Sequence, residues 1–432
     1  MTVVEIGEVM LDPGSEALIA CGLDTPAPGD ESTFYGFDLR GWAIGRKSRA
    51  RVMIARHAAG DLREVPIDIA RPDVAEKHPE LERAHSSGFF LPVGALRLDP
   101  EFEIEFGVVL EDGTRAPLGR ITGRRARLAT SFEPSIEPIA LTALGRTGST
   151  AVIRLLASHP EIVAYRPFEY EPRVVTYWLD VVQDLSEPAA FRRQIAPQGP
   201  LDEGWWIGTQ PPFPRRLVDN EIQSLLGREN IDELALFCQR RIERFYSRVA
   251  DMEGHTDVTR FVEKLGPRQG ALLRELYPGA REVVLVRDFR DMVASIFAFN
   301  RKRGFAGFGR NRAGSDVEYV TTQVADSIEK LAEAWRTRSK SAHLLRYEDL
   351  VLRPTETVVR LLDYLDLEAS PRTVEAMLGS LEAPESEIHR TVTSPEHSIG
   401  RWRQDLSAEL QEVCALTLGP ALREFGYEDG SA

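Results

Sequence analysis

The sequence predicts an α/β fold built on a parallel sheet, preceded by a small all-β domain of the sandwich type. From residue 139 onward, apolar strand-like runs alternate with helical segments, which is typical of a parallel sheet covered by helices. Before residue 130, short apolar runs are separated by Gly and Asp turns. The 432 residues, of which 43% are hydrophobic and 28% charged, fit a globular chain of two or three domains.

The β-rich part is predicted from alternation along the chain. Phe102, Ile104 and Phe106 alternate with glutamates, and this period of two indicates a half-buried strand. A stretch with two prolines and several polar residues then separates this part from the rest of the chain and fits a linker. The predicted organisation is a β-rich accessory domain at 1–130, a linker at 131–138 and an α/β domain at 139–432.

Three apolar runs in the α/β part are each followed by a segment with helical spacing. Parallel strands need a crossover connection, usually a helix, so this order favours a parallel sheet over hairpins. The predicted strand and helix pairs are 139–144 with 151–156, 281–286 with 292–299, and 342–345 with 357–365.

The charge distribution predicts one anionic ligand. The net charge of −14 argues against broad nucleic-acid binding. Between Arg281 and Arg312, however, eight Lys or Arg residues stand against three acidic ones. A solvated basic helix is the alternative explanation of this local excess.

Several classes of protein are excluded at this stage. No apolar stretch approaches the ~18 residues of a membrane span. The first 21 residues carry four acids and no basic region before an apolar run, so we expect no signal peptide and a cytoplasmic protein. The three cysteines are scattered and the eight histidines show no metal-ligand spacing, so we expect neither disulfides nor a metal site.

The strongest local motif is Gly-Arg-Thr-Gly-Ser-Thr at 145–150, between a predicted strand and a predicted helix. Such a turn directs backbone N–H groups and a helix N-terminus at one point, which suits a phosphate. The motif lacks the Lys and the spacing of a Walker A loop, and this weakens an ATPase or kinase interpretation. A plain strand–turn–helix junction is the alternative.

A second motif follows the predicted strand at 281–286. Arg287 stands at the strand end, and Ser295 lies eight residues later in the next helix. Ligands of open α/β sheets collect at the carboxyl ends of strands, and Arg and Ser are suitable phosphate donors. The alternative is that Arg287 forms a salt bridge with Asp288 or Asp291.

Taken in order, four segments resemble the motifs of sulfotransferases that use 3′-phosphoadenylyl sulfate (PAPS). The resemblance covers roughly residues 137–428. It implies a P-loop-like three-layer α/β fold, PAPS as donor and 3′,5′-adenosine bisphosphate (PAP) as product. The segments are GRTGST with LLASHP, LVRDFRDMVAS, LRYEDLVLRP, and the stretch from Ser398 to Arg403.

The resemblance also implies roles for individual residues. The first loop would hold the 5′-phosphosulfate, and Arg287 and Ser295 would hold the 3′-phosphate. Lys264, like Arg146, would sit near the leaving phosphate, although a surface lysine paired with Glu263 is the alternative. A C-terminal loop with Ser398 and Arg401 would close over the donor. The first-loop residues are Arg146, Thr147, Gly148, Ser149 and Thr150.

The acceptor hydroxyl needs a general base. The segment after the first helix resembles the loop that carries a catalytic Glu in protein-tyrosine and related sulfotransferases. Glu171 is favoured over Glu169, with His255 as a third candidate. Either glutamate could instead be a solvated or salt-bridged loop residue.

The acceptor is predicted only by weak features. Trp205 and Trp206 could line an acceptor pocket or pack inside an inserted lobe. The segment 35–43 resembles accessory segments of some bacterial glycan-modifying transferases, which favours a saccharide or glycolipid. Two other functions remain: a P-loop kinase or phosphotransferase, and a non-catalytic glycan-binding protein. The oligomeric state is not predicted.

Overall fold

The computed structural model describes residues 2–12, 15–57, 60–187, 225–382 and 391–427. The chain divides into two compact units. One comprises Met1–Phe132 and Trp178–Gln239, and the other Glu133–Tyr177 and Arg240–Ala432. The domain boundaries given above stay a prediction.

The first unit contains two antiparallel sheets. One has six strands in the order β3-β1-β9-β8-β5-β6, and the other has three in the order β2-β4-β7. The strands are β1 Val4–Leu11, β2 Leu18–Thr25, β3 Glu31–Ser32, β4 Gly36–Gly45, β5 Ala50–His57, β6 Gly60–Pro66, β7 Gly88–Gly94, β8 Glu101–Leu110 and β9 Arg115–Arg125.

Side-chain burial in β8 follows the predicted alternation. Phe102, Ile104 and Phe106 are buried, and the glutamates between them are exposed. The Phe102 ring stacks on Phe37 of β4 at 5.9 Å between centroids, so the two sheets share an apolar interior. The predicted β-rich architecture is confirmed.

The second unit is built on a five-stranded parallel sheet in the order β11-β12-β10-β13-β14. Because all pairs are parallel, the strands end at one edge, and Val286 pairs with Arg346 there. The strands are β10 Glu137–Ala143, β11 Ile162–Val163, β12 Arg260–Leu265, β13 Arg281–Val286 and β14 Ala342–Arg346.

Helices cover both faces of this sheet. Val283 and Leu285 of β13 join one apolar cluster, and Val284 and Val286 join another. Successive strand residues point to opposite faces, so the two clusters are the two sides of a three-layer α/β structure, as predicted.

The helices, in chain order, are α1 Pro72–Lys77, α2 Ser149–Leu156, α3 Val174–Ser186, α4 Asn230–Glu253, α5 Gly270–Leu276, α6 Phe289–Arg303, α7 Asp316–Tyr319, α8 Ala325–Arg338, α9 Tyr347–Leu352, α10 Pro354–Leu365, α11 Pro371–Gly379, α12 Trp402–Asp405 and α13 Ala408–Glu424. The three predicted helical segments lie within α2, α6 and α10, and further helices accompany them. No helix in the described ranges is long and apolar enough to cross a membrane.

Candidate functional site

The backbone of the loop between β10 and α2 is sterically constrained. Gly148 has a φ of +95°, and a Cβ on it would lie 2.6 Å from the Tyr347 ring, so only glycine fits there. Arg146 also has a positive φ, of +64°, which an L-residue seldom adopts. Thr147 donates its hydroxyl to the Leu144 carbonyl at 2.9 Å. The loop therefore has one well-defined conformation that leads directly into α2, with Ser149 and Thr150 in its first turn.

Arg146 links this loop to α6. Its Nε donates to Ser295 Oγ at 3.2 Å, and its guanidinium lies 4.3 Å from the centre of the Phe299 ring. Burial, together with the positive charges of Arg287 and Arg401, lowers the pKa of Arg146 to about 10. Three guanidinium groups thus lie close enough to repel one another, which favours an anion between them.

Arg287 at the end of β13 contacts both the first loop and the C-terminal segment. It donates from Nη1 to the Arg146 carbonyl at 3.3 Å and from Nη2 to the Ser398 carbonyl at 2.6 Å. Its guanidinium lies 4.8 Å from the centre of the Tyr347 ring. The side chain is 5% exposed, and within the described ranges its buried Nε has no hydrogen-bond partner. Buried Nε atoms of Arg154, Arg281 and Arg346 likewise have no partner among the described residues, so what distinguishes Arg287 is its position between the first loop and the Ser398 carbonyl.

The alternative explanation of Arg287 as a salt-bridge residue is wrong for the part of the chain that is described. Asp288 forms its ion pair with Arg290, at 2.8 Å. Asp291 accepts backbone N–H groups from Gly400 and Trp402 at 2.7 and 2.9 Å. Arg287 therefore keeps its charge available at the sheet edge.

The C-terminal segment closes one side of the cluster. Ser398 Oγ lies 3.2 Å from Tyr347 Oη, and its carbonyl accepts from Arg287. Arg401 pairs with Asp405, 2.5 Å from Nη2 to Oδ2, and donates to Thr391 Oγ1. The proposed donor residues of three separate segments are thus brought together.

Glu171 and Lys264, which lie far apart in the sequence, form an ion pair in the structure. Lys264 Nζ is 2.8 Å from Glu171 Oε1, and Arg173 Nη2 is 3.8 Å from Oε2. Tyr170 and Arg173 have φ values of +66° and +53° and flank Glu171 closely. Non-glycine residues in this region store strain, which is often found at functional sites.

The other candidate bases are less favoured or not described. His255 lies 3.5 Å from Glu253 as an ion-pair partner. The side chain of Glu169 lies outside what the structure describes, as do Trp205 and Trp206.

Lys264 is not paired with Glu263, so the alternative for Lys264 is wrong. Glu263 points to the other side of β12 and is 1% exposed. It accepts the backbone N–H groups of Val174, Val175 and Thr176, and also the Tyr246 hydroxyl at 2.5 Å. Burial raises the pKa of Glu263 to about 7, and these donors oppose the rise. Strand alternation could have revealed that Glu263 and Lys264 face opposite sides.

Sequence reasoning also missed Tyr347. It directly follows β14. Its ring occupies the place where a side chain at Gly148 would lie, and it packs against the Arg287 guanidinium. Its hydroxyl lies within hydrogen-bond distance of Ser398 Oγ. Its position immediately after a parallel strand was the available signal. Next to it, Glu348 accepts the Asp288 backbone N–H at 2.9 Å and the Tyr427 hydroxyl at 2.6 Å. Among the described residues, no group of His, Cys, Asp and Glu could hold a metal ion.

Open parallel α/β sheets bind their ligands at the carboxyl edge of the sheet, which is where these arginines lie. The sulfotransferase family model matches residues 138–371. This is more than half of the chain, and the protein belongs to the sulfotransferase family.

Individual relatives are distant. Protein-tyrosine sulfotransferase A of Caenorhabditis elegans is 25% identical over 173 residues, which is 37% of this chain and 42% of that protein. The match thus spans less than half of the relative's length. The sulfotransferase domain of the Synechococcus PCC 7002 olefin synthase is 19% identical, covering 68% of this chain and 97% of that one, with a TM-score of 0.37. Mouse sulfotransferase SULT7A1, solved with PAP, is 9% identical over 68% and 86%, with a TM-score of 0.38.

Proposed function

We propose that this protein transfers a sulfuryl group from PAPS to a hydroxyl group of an acceptor. The observation that carries the proposal is the chain of contacts at the sheet edge: buried Arg287 donates to the Arg146 carbonyl, and Arg146 donates to Ser295 Oγ. Membership of the sulfotransferase family supports it.

The residues at the sheet edge fit a nucleotide with phosphates at both ends. The loop at 145–148 and the N-terminus of α2 would hold the 5′-phosphosulfate through backbone N–H groups, Ser149 and Thr150. Arg287, Ser295, Ser398 and Arg401 would hold the 3′-phosphate. The donor supplies an activated sulfuryl group. The chain supplies arginine, lysine and amide donors in place of a metal.

Glu171 is proposed as the general base. Lys264 binds Oε1 and so fixes the carboxylate, whereas the contact of Oε2 within the described part of the chain is the 3.8 Å approach of Arg173. Oε2 is therefore the oxygen that would accept the acceptor's proton. Lys264, once oriented by this pair, would supply positive charge to the leaving phosphate together with Arg146.

The acceptor is proposed to be a saccharide or glycolipid hydroxyl, as the segment at 35–43 favours. The name of the C. elegans relative makes a tyrosine hydroxyl the second candidate. A cytoplasmic location and the absence of a metal stay predictions. A panel of sugars, glycolipids and tyrosine peptides, incubated with sulfur-labelled PAPS, distinguishes the acceptors by the product that carries label.

The donor site is tested by calorimetric binding of PAP, ATP and AMP without magnesium. Wild type should bind PAP most tightly, and Arg287→Ala should weaken PAP binding tens- to hundredfold, since a buried charge-assisted contact contributes about 2–3 kcal/mol. Arg281→Ala, at the opposite end of β13, is the matched control and should leave PAP binding unchanged.

Two outcomes would point elsewhere. Equal affinity for ATP with magnesium-dependent hydrolysis would favour a kinase or phosphotransferase. Tight PAP binding without turnover on any acceptor, unchanged in Glu171→Gln, would favour a non-catalytic binding protein.

A further inference from the structure

Asp291 is a buried carboxylate in the first turn of α6. An acidic residue there is ordinarily explained by the helix dipole, at the surface. Asp291, however, is 0% exposed. Burying a carboxylate costs free energy unless hydrogen bonds satisfy it. The hydrogen-bond partners of Asp291 therefore indicate its role.

Those partners belong to the C-terminal segment. Oδ2 accepts the Gly400 N–H at 2.7 Å, and Oδ1 accepts the Trp402 N–H at 2.9 Å, more than 100 residues along the chain. Gly400 has a φ of +71°, so the segment turns sharply between these two bonds. One carboxylate thus fixes two backbone positions on either side of Arg401.

The same segment carries two of the proposed donor-binding residues. The Ser398 carbonyl accepts Arg287 Nη2 at 2.6 Å, and the charge of Arg401 contributes to lowering the pKa of Arg146. Asp291 and Arg287 lie four residues apart in the motif that follows β13. Arg287 binds the C-terminal segment at Ser398, and Asp291 binds it at Gly400 and Trp402. The position of Arg401 relative to Arg146 and Arg287 depends on both.

We infer that Asp291 is a positioning residue for the nucleoside bisphosphate site, which fixes the segment 398–402 so that Ser398 and Arg401 face the 3′-phosphate. The inference rests on the proposed function. Asp291 itself does not contact the ligand: both of its oxygens are engaged by backbone N–H groups. Its replacement should therefore weaken donor binding without removing a ligand contact.

The test is PAP binding by Asp291→Asn, measured by calorimetry, with hydrogen exchange of the Gly400 and Trp402 amides. The asparagine NH₂ group would oppose one of the two N–H donors, so we expect about a tenfold weaker affinity for PAP, or ~1.4 kcal/mol. Exchange of both amides should be faster in the free variant. Gly400→Ala strains the same turn from the loop side and should weaken PAP binding as well.

Glu282→Gln is the matched control. Glu282 is a buried carboxylate at the beginning of β13, bonded to Thr142 and Arg338. Its loss should lower stability without changing the affinity for PAP or the exchange of Gly400 and Trp402.

The outcomes separate the two proposals. Wild-type affinity and unchanged amide exchange in Asp291→Asn would overturn the inference and leave the donor site standing. Equal weakening by Glu282→Gln would also overturn it, because the effect would then be one of general stability. If wild type fails to bind PAP, the proposed function falls, and the role of Asp291 falls with it.

Discussion

The lowered pKa of Arg146 and the buried position of Arg287 result from the groups around these two arginines. Arg287 is buried and Arg146 is half-buried at the sheet edge, where other positive charges lie close to Arg146. The carboxylate of Glu171 is held by an ion pair between its Oε1 and Lys264 Nζ. At the scale of single residues, the charged groups of the proposed site are thus held by contacts within the protein, and such preorganisation is what electrostatic catalysis would require.

The prediction at this scale concerns the base. Glu171→Gln keeps the shape of the side chain but cannot accept a proton, so the turnover number should fall about 10²–10⁴-fold. The affinity for PAP should not change. Both are measured with labelled PAPS and the acceptor found in the panel.

Two comparisons make this result specific. Glu169→Gln tests the candidate that the sequence left open and should retain activity. Glu161→Gln is the neutral control, since among the described residues its carboxylate bonds only the Thr259 hydroxyl. Loss of turnover in Glu169→Gln alone would transfer the role of base to Glu169.

At the scale of elements, the N-terminus of α3 lies in space beside the carboxyl end of β12. Glu263 of β12 accepts three consecutive N–H groups at the beginning of α3, groups that a helix leaves without internal partners. Lys264, the next residue, holds Glu171 just before the same helix. One strand end therefore positions both the helix and the proposed base.

The corresponding prediction is that Glu263→Gln lowers the free energy of unfolding by about 1–3 kcal/mol, because an amide cannot accept from all of these donors. Exchange of the Val174–Thr176 amides should be faster. Glu243→Gln is the control, since Glu243 accepts the Ser135 N–H at an exposed position and should change stability by less than about 0.5 kcal/mol. Equal losses in denaturant unfolding would show that Glu263 has no special role as a cap.

At the scale of the whole molecule, buried carboxylates make stability depend on pH. Burial raises the pKa of Glu263 to about 7 and that of Asp291 to about 6. The charge of Asp288 contributes to this raised pKa of Asp291, and the Trp402 and Gly400 amides and Arg287 oppose it. A raised carboxyl pKa means that the folded state binds more protons than the unfolded state between the two pKa values.

The sign follows from this difference. The contribution of Glu263 to stability is fully present below its unfolded pKa and is lost as the pH rises through about 7. We therefore expect the free energy of unfolding to fall between about pH 5 and pH 7, by up to ~1.4 kcal/mol per pH unit for this group. In Glu263→Gln the slope should be shallower. Parallel curves for wild type and variant would contradict the assignment.

The distribution of basic residues along the chain predicts a charged site less precisely than the folded structure does. The basic excess between Arg281 and Arg312 was predicted to mark one anionic site. In the structure, Arg287 and Arg290 are buried, but Arg290 is neutralised by Asp288, and Arg301 and Arg312 are exposed. Burial separates Arg287 from Arg301 and Arg312, and the ion pair of Arg290 with Asp288 separates it from Arg290; a count of charges contains neither.

The sequence by itself determined the alternation of strands and helices and the placing of the two motifs after β10 and β13. It could do so because hydrophobic period is local and because parallel strands end at a common edge. The Arg287–Ser295 spacing is likewise contained within one strand and one helix.

Only the tertiary structure decided which groups meet. Lys264 and Glu171 are 93 residues apart, and Asp291 and Trp402 are 111 apart. Such pairs depend on the direction and burial of each side chain, and two adjacent residues of one strand, Glu263 and Lys264, face opposite sides. The roles of Tyr347, Glu263 and Asp291 therefore became visible only in the folded chain, where the burial of each could be compared with the partners that it has.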